Sequence, residues 1–160
     1  KQTGTTTLLV THDQQEAFAM GDRIGVLDQG RMQQWADART LYDAPATPFV
    51  ARFIGHGMLL PIQADANGQL QSALGVLPGQ HAANSLQRLL RSHVLQYDPL
   101  SPIHARLFFF NDTATTEIYT LELADGSTVQ ATMPAVLQHT PGEMIGVRLQ
   151  QDRGLVVFGE

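Results

Sequence analysis

Hydrophobic and polar positions divide the chain into two parts with different periodicities. In the first part, residues 7–11 read TLLVT, a continuous apolar run that is typical of a strand buried on both faces of a parallel sheet. The helix-prone residues 14–20, which begin with Gln14, Gln15 and Glu16, follow at once, and Asp13 before them is a good N-cap. We therefore predict a strand followed by a helix that turns Ala17 and Met20 toward the sheet.

A hairpin and two short helices are predicted next, over residues 23–28, 31–35, 38–42 and 49–54. Gln29-Gly30 supplies the hairpin turn, and Asp37 can cap the first of the two helices. One strand–helix unit and a hairpin cannot close a doubly wound sheet. Residues 1–55 are therefore predicted to be the end of an α/β domain.

After Gly55 and Gly57 the apolar residues alternate with a period of two, as in short strands. The alternating runs lie at residues 103–109, 119–123, 129–133 and 145–149, and a turn at 152–154 precedes a last run at 155–158. Asp125-Gly126 is a strong hairpin signal. Residues 84–95 fit a helix or a strand, and we expect a strand at their end. Residues 56–160 are thus predicted to be a small all-β barrel or sandwich.

Composition excludes several classes of protein. The chain has 160 residues, a net charge of -5, no cysteine and no basic stripe, so disulfide frameworks, thiolate metal sites and nucleic-acid binding are not expected. Its six histidines lack the helical spacing of metal pairs, and we predict no metal site. No apolar run approaches the ~20 residues of a membrane span, and no signal peptide is visible.

The first part of the chain resembles a known family. Residues 8–34, LLVTHDQQEAFAMGDRIGVLDQGRMQQ, closely resemble the segment around the switch histidine of ABC-transporter ATPases, with THD, QEA, DRI and GR in the family's order and spacing. Residues 40–55, TLYDAPATPFVARFIG, resemble the end of the nucleotide-binding domain in the importer branch. From Gly57 onward there is a looser resemblance to the β-rich accessory domain of importer ATPases, often called TOBE.

The resemblance implies a role for His12 as the catalytic and cofactor-binding residue. In the family the switch histidine reaches the γ-phosphate of ATP and the attacking water, with Mg²⁺ as the second cofactor. An imidazole can donate a hydrogen bond to a phosphoryl oxygen in the transition state. Residues 13–16 either contact a partner subunit or form an ordinary solvated first turn, and we expect the second. Gly21 and Gly30 are expected to serve the backbone rather than a ligand.

Several motifs of a complete ABC ATPase are not found in the sequence. There is no phosphate loop G-x-x-x-x-G-K-[ST] (Walker A), no acidic magnesium-binding strand (Walker B) and no signature loop, and the one lysine is Lys1. In the family these motifs lie before the switch histidine, and Lys1 is not an initiating methionine. We therefore expect the C-terminal fragment of a longer P-loop ATPase, unable by itself to use ATP.

The resemblance also implies partners, a location and a cargo. The partners would be a second ATPase subunit in a homodimer, membrane permease subunits and, indirectly, a periplasmic solute-binding protein. The location would be the cytoplasmic face of a bacterial inner membrane. Residues 64–69 (ADANGQ) and 74–79 (LGVLPG) look like ferric-ion importer ATPases, although the family's Arg-Pro is absent near residues 95–98. Ferric ion is the first choice of cargo, and polyamine, phosphonate or another small solute is the alternative.

A second resemblance concerns DNA rather than protein. Asn111 to Thr120 reads NDTATTEIYT after three consecutive phenylalanines, and this resembles the translation of a widely used sequencing-library adapter. The hypothesis is that the segment is an assembly artefact without functional content. The alternative is an ordinary hairpin with its turn at Asn111-Asp112.

Two other functions are alternatives to an ATPase fragment. The chain could be a stand-alone, non-catalytic regulatory or dimerisation module, which an upstream phosphate loop in the gene would exclude. For the accessory domain, extension of the dimer interface is preferred to binding of a regulatory ligand, because no convergent polar site is visible. A hydrolase that uses His12 with Asp13 would need a nucleophile elbow or a metal cluster, and neither is present.

Overall fold

The computed structural model describes residues 4–80, 86–112, 116–150 and 156–159 of the chain. The chain divides into two compact units, Lys1–Ile54 and Gly55–Glu160. Helices and one hairpin form the first unit, whereas strands dominate the second.

Within the described residues, the first unit consists of α1 (Gln14–Met20), β1 (Ile24–Asp28), β2 (Arg31–Ala36), α2 (Ala38–Asp43) and α3 (Pro48–Phe53). Each helix begins after a side chain that accepts hydrogen bonds from first-turn amides, namely Asp13, Asp37 and Thr47. Those amides have no partner inside the helix, so the caps determine where such short helices begin. The three predicted helices and the two predicted caps are confirmed.

The hairpin of β1 and β2 closes through a two-residue turn. Gln29 and Gly30 have φ angles of 47° and 77°, the left-handed pair that a tight type I′ turn requires. One face of the hairpin buries Val26 and Ala36 in a small core with Leu41, Val50 and Ile54. The predicted hairpin is therefore confirmed.

The strand predicted over residues 7–11 does not form. This segment has no regular secondary structure, and the side chains of Leu8 and Val10 are 82% and 88% exposed. A strand needs a neighbour for its backbone hydrogen bonds, and no strand in the described part of the chain pairs with this segment. Because a parallel sheet is not seen there, the α/β class of the first unit stays a prediction.

The buried face of α1 also differs from the prediction. Met20 is 67% exposed, whereas Phe18 packs against the small core of the first unit. Without a sheet strand beside it, α1 is oriented by its contacts with that core. Ala17 is half-buried, so only the expectation for Met20 is wrong.

The second unit contains two five-stranded antiparallel sheets, ordered β10-β9-β8-β11-β7 and β12-β6-β3-β4-β5. The strands are β3 (Met58–Ala64), β4 (Gln69–Ser72), β5 (Gly75–Gln80), β6 (Leu86–Leu90), β7 (Leu95–Tyr97), β8 (His104–Asp112), β9 (Thr116–Glu122), β10 (Thr128–Pro134), β11 (Met144–Leu149) and β12 (Val157–Gly159). The first sheet is nearly closed: on β10 the Thr132 hydroxyl donates to Ser92 Oγ, 3.0 Å away and just before β7. This nearly closed sheet agrees with the predicted small barrel.

Alternation along the strands builds the barrel core. The inward-facing side chains on β8 to β11 are all buried: Ala105, Leu107, Tyr119, Leu121, Val129, Ala131, Met133, Ile145 and Val147. The four alternating runs predicted as strands match β8, β9, β10 and β11. Leu86–Leu90 form β6, Ser92–Val94 form a 3-10 helix and Leu95–Tyr97 form β7. The strand expected at the end of residues 84–95 is therefore confirmed only at Leu95, because His93 and Val94 belong to the 3-10 helix.

Two predicted turns have different outcomes. Asn111 and Asp112 pair with Ile118 and Glu117 in the β8–β9 ladder, so the prediction of a turn at these two residues is wrong. The ladder continues because each extra pair adds backbone hydrogen bonds. The turn predicted at residues 152–154 lies outside the described residues.

Candidate functional site

His12 lies in a bend whose backbone is held on both sides by local hydrogen bonds. The Asp13 amide donates to Thr11 Oγ1 over 3.0 Å, and Asp13 Oδ1 accepts from the Gln15 and Glu16 amides over 2.8 and 3.2 Å. The His12 side chain itself is exposed. The bend therefore presents an imidazole to solvent from a constrained backbone.

A long-range hydrogen bond attaches this bend to the end of α3. Gln14 Nε2 donates to the carbonyl oxygen of Phe53 over 2.7 Å, across 39 positions of sequence. No local pattern signals such a contact: the sequence predicts a solvated first turn at Gln14, with contact to a partner subunit as the alternative. The structure instead makes Gln14 a link between the first residue of α1 and the last residue of α3.

Apolar contacts hold α1 in the same place. One turn after Gln14, Phe18 packs against the core that includes Val50 and Ile54. On α3 the rings of Phe49 and Phe53 stack with centroids 5.7 Å apart and an interplanar angle of 9°. The position of His12 thus depends on α3 through both a hydrogen bond and packing.

Among the described residues of the bend, the His12 imidazole is accompanied by the Thr11 hydroxyl and the Asp13 carboxylate, both of which bond to backbone amides. Asp13 Oδ1 is occupied by the helix cap, and Lys1 lies outside the described residues. Within residues 4–80, 86–112, 116–150 and 156–159, no three His, Asp or Glu side chains are grouped to hold a metal ion. The bend can offer one hydrogen bond to an anion, but it does not form a phosphate cradle.

The remaining described candidates of the sequence are exposed or paired within their own units. Gln15 and Glu16 are exposed on the first turn of α1. His93 and His104 are exposed on the second unit, and His139 is paired with Glu143, Nδ1 to Oε1, over 2.9 Å. His81 and the side chain of His56 lie outside the described part.

The two glycines singled out by the sequence have backbone roles. Gly30 has φ of 77° in the hairpin turn. A methyl group at Gly21 would lie 2.9 Å from the Ala17 carbonyl oxygen, which accepts the Gly21 amide and ends α1. Gly21 has φ of -85°, so close approach rather than left-handed backbone explains this glycine.

None of the helices in the described part of the chain has the length and apolar character of a membrane-spanning segment.

Comparison with known proteins gives matches over part of the chain. No family model matches. The chain is 43% identical over 83 residues to the sulfate/thiosulfate import ATP-binding protein CysA of Xanthomonas campestris pv. campestris, which is 52% of this chain and 24% of that protein. It is 54% identical over 59 residues to the spermidine/putrescine import ATP-binding protein PotA of Rubrobacter xylanophilus, covering 37% of this chain and 16% of that protein.

A third relative shows the same partial match. The CysA protein of Mesorhizobium japonicum is 46% identical over 69 residues, or 43% of this chain and 20% of that protein. The chain therefore spans about a quarter or less of the length of these curated relatives. Over that part of its length, the chain is homologous to import ATP-binding proteins.

Proposed function

We propose that this chain is the C-terminal part of the ATP-hydrolysing subunit of an ABC-type importer. The observation that carries the proposal is the 43–54% identity to import ATP-binding proteins, together with an exposed His12 on a constrained bend. The names of the relatives describe ATP binding and import, and these are the activities that we propose for the full-length subunit. The bend supplies a side chain that can act on a phosphoryl group.

His12 has one chemical task in this proposal. Its imidazole donates a hydrogen bond to a γ-phosphoryl oxygen of ATP, and it orients the attacking water while charge on that oxygen develops. The Asp13 cap and the Thr11 contact hold the backbone for this task. ATP and Mg²⁺ would need further contacts, because this chain contains neither the phosphate loop nor the signature loop.

The chain alone is proposed to be inactive. Besides the missing motifs, the outer face of the hairpin supports this proposal. Leu27, Met32 and Trp35 are each more than half exposed there, and cross-strand pairing of Leu27 with Met32 places them side by side. Exposed apolar side chains in contact with one another mark surfaces that pack against other protein. In the full subunit the rest of the nucleotide-binding domain would cover them.

Residues 56–160 are proposed to be a TOBE-like accessory domain that extends the interface of an ATPase homodimer. The other partners would be permease subunits and, through them, a periplasmic solute-binding protein, with the subunit at the cytoplasmic face of the inner membrane. The nearly closed sheet supports a small barrel of this kind.

We propose that the cargo of the importer is a small solute. Ferric ion is the first choice because residues 64–69 and 74–79 look like those of ferric-ion importer ATPases. The names of the relatives instead include sulfate/thiosulfate and spermidine/putrescine. The decisive assay is ATP hydrolysis by the reconstituted importer, stimulated by its binding protein loaded with each solute in turn. Stimulation by ferric ion alone supports the first choice, and stimulation by another solute replaces it.

The adapter origin of Asn111–Thr120 is also a proposal. The β8–β9 register shifts between Leu107 and Phe109, just before this segment, and Phe108 and Phe109 are at least half exposed. Resequencing the native locus across this segment tests the proposal. Codons that differ from the adapter sequence support it, and unchanged codons contradict it.

Substitution of His12 tests the main proposal in the full-length subunit. We expect His12→Ala to lower the rate of ATP hydrolysis by about 10²–10³, the effect of removing one group that stabilises transition-state charge, with ATP binding retained. His104→Ala, an exposed histidine of the second unit, is the matched control. An unchanged rate in His12→Ala, or an open reading frame without a phosphate loop, would favour the stand-alone regulatory module.

A further inference from the structure

The hydrogen bond from Gln14 to Phe53 satisfies a carbonyl at the end of a helix. Phe53 is the last residue of α3, and the final carbonyls of a helix have no partner within it. Gln14 Nε2 supplies a donor over 2.7 Å. A glutamine 39 residues earlier thus completes the C-terminus of α3.

The same glutamine belongs to the hydrogen-bonded bend around His12. Gln14 is the first residue of α1, and the Asp13 cap spans it by accepting from the Gln15 amide. The amide of Asp13 is in turn bonded to Thr11 Oγ1. The end of α3 is therefore connected to the two neighbours of His12 by the Gln14 side-chain hydrogen bond, the covalent backbone between Gln14 and Asp13, and the local hydrogen bonds of Asp13.

After Phe53 the chain leaves α3 through a residue in the left-handed backbone region. Gly55 has φ of 65° and ψ of 26°, a left-handed conformation that glycine adopts readily. Gly55 is also the first residue of the second compact unit. Gly55 is two residues after Phe53, so a change in the backbone angles of Gly55 is expected to displace the Phe53 carbonyl.

We propose that Gln14 is a positioning residue that couples the chain path at the entry to the second unit to the backbone of His12. A displacement of the α3 terminus moves the acceptor of the Gln14 side chain, and Gln14 moves the start of α1 and the bend before it. The consequence for ATP hydrolysis rests on the proposed function of His12, whereas the mechanical coupling is a property of this chain.

Packing is a second connection between α1 and α3, and the experiment must separate its contribution from that of the hydrogen bond. Phe18 ties α1 to the same core independently of the hydrogen bond. Gln14→Met keeps the length of the side chain and removes its amide group, including the donor to Phe53, while the packing of Phe18 against the core is left in place. Gln15→Met makes the same change at an exposed neighbour and is the matched control.

The test is an NMR double-mutant cycle on the 160-residue chain. Gly55→Ala places a Cβ at a left-handed backbone position and so perturbs the end of α3. We expect it to shift the backbone amide and imidazole signals of His12 in the wild-type and Gln15→Met backgrounds, and to lose most of that shift in Gln14→Met. The amides of Gln15 and Glu16 should exchange about fivefold faster in Gln14→Met, the usual effect of one lost hydrogen bond.

Equal His12 shifts in all backgrounds, or no shift in any of them, would overturn the coupling. If Gly55→Ala does not fold, Ile54→Val supplies a milder perturbation at the same place, because Ile54 is buried beside Phe53. Neither readout uses ATP. Failure of the coupling and failure of the proposed ATPase function are therefore observed in separate experiments.

Discussion

The backbone of Asp98 lies directly against Gly146. The Asp98 amide donates to the Gly146 carbonyl oxygen over 2.9 Å, and the Asp98 carbonyl oxygen occupies the space that a side chain at residue 146 would need. Ser101 continues the contact by donating its hydroxyl to the Val147 carbonyl oxygen over 2.6 Å. The turn after β7 is thereby attached to the middle of β11.

Substitution of Gly146 should therefore destabilise the second unit. We expect Gly146→Ala to lower the free energy of unfolding by about 1–3 kcal/mol, because backbone on both sides must move apart to admit the methyl group. Gly159→Ala is the control: its methyl group would lie 3.8 Å from Leu86 Cδ2, and it should change stability by less than about 0.5 kcal/mol. Urea unfolding of both variants measures the difference, and equal midpoints would contradict this account of Gly146.

The N-cap of α3 should contribute measurably to the first unit. Thr47 Oγ1 accepts the Val50 amide over 3.2 Å in a partly buried position. Thr47→Ala should cost about 1 kcal/mol, since that amide loses its acceptor. Thr47→Ser retains the oxygen and should cost clearly less. Hydrogen exchange of the Val50 amide reports the loss locally, and similar exchange in the two variants would argue against capping.

Glu143 should make stability depend on pH in the acid range. The Thr140 amide, bonded to Oε2 over 3.0 Å, is the main cause that lowers the Glu143 pKa below 4.5, and His139 at Oε1 adds to it. A carboxyl whose pKa is lower in the folded state stabilises the fold above its unfolded pKa. That contribution disappears as pH falls through the folded pKa, so the relevant window lies below about pH 4.3.

Glu143→Gln tests this dependence. The variant should be less stable than the wild type at neutral pH, and the two urea midpoints should converge below pH 4 as Glu143 becomes protonated. A Glu143 carboxyl carbon that titrates by NMR below 4.5 would agree with the shifted pKa. A difference between the midpoints that stays constant with pH would contradict the carboxylate as its source.

Tyr119 should be the most costly truncation in the barrel, although it lies in the adapter-like segment. Its side chain is fully buried among Leu107, Leu121 and Ala131 in the core of the second unit. Tyr119→Ala should destabilise by about 3–5 kcal/mol through the cavity left behind. Thr116→Ala, on an exposed position of the same strand, should have a small effect. Thermal unfolding of both variants decides whether this segment supports the fold.

Burial at this site also affects the ionisation of Tyr119. Removal of the phenol from water raises its pKa above 10.0, and the side chain of Glu117 adds to the shift. Tyr119→Phe keeps the ring and should cost much less than Tyr119→Ala. Ultraviolet absorbance should show a phenol that titrates above pH 10 in the wild type and is absent from Tyr119→Phe, which would identify it as Tyr119.

Turn and cap residues could be predicted because their chemistry is local. Asp13 and Asp37 cap their helices as expected, and Gln29-Gly30 and Asp125-Gly126 close their hairpins. Strands β3 to β5 were not predicted. Pro61 interrupts the apolar pair Leu60 and Ile62, and glycine and proline punctuate residues 75–79, so local propensity argues against strands that pairing nevertheless forms.

The sequence by itself determined the three short helices, the Asp13 and Asp37 caps, the tight hairpin turns and the alternating strands of the barrel, because capping, turn chemistry and alternation can be recognised from neighbouring residues. It also placed His12 at the start of a capped helix. Tertiary structure decided whether residues 7–11 become a strand, which face of α1 is buried and what Gln14 contacts. These outcomes depend on neighbours that local sequence does not specify, because a strand needs a paired edge, a helix face needs a packed surface, and the Phe53 carbonyl lies 39 residues from its donor.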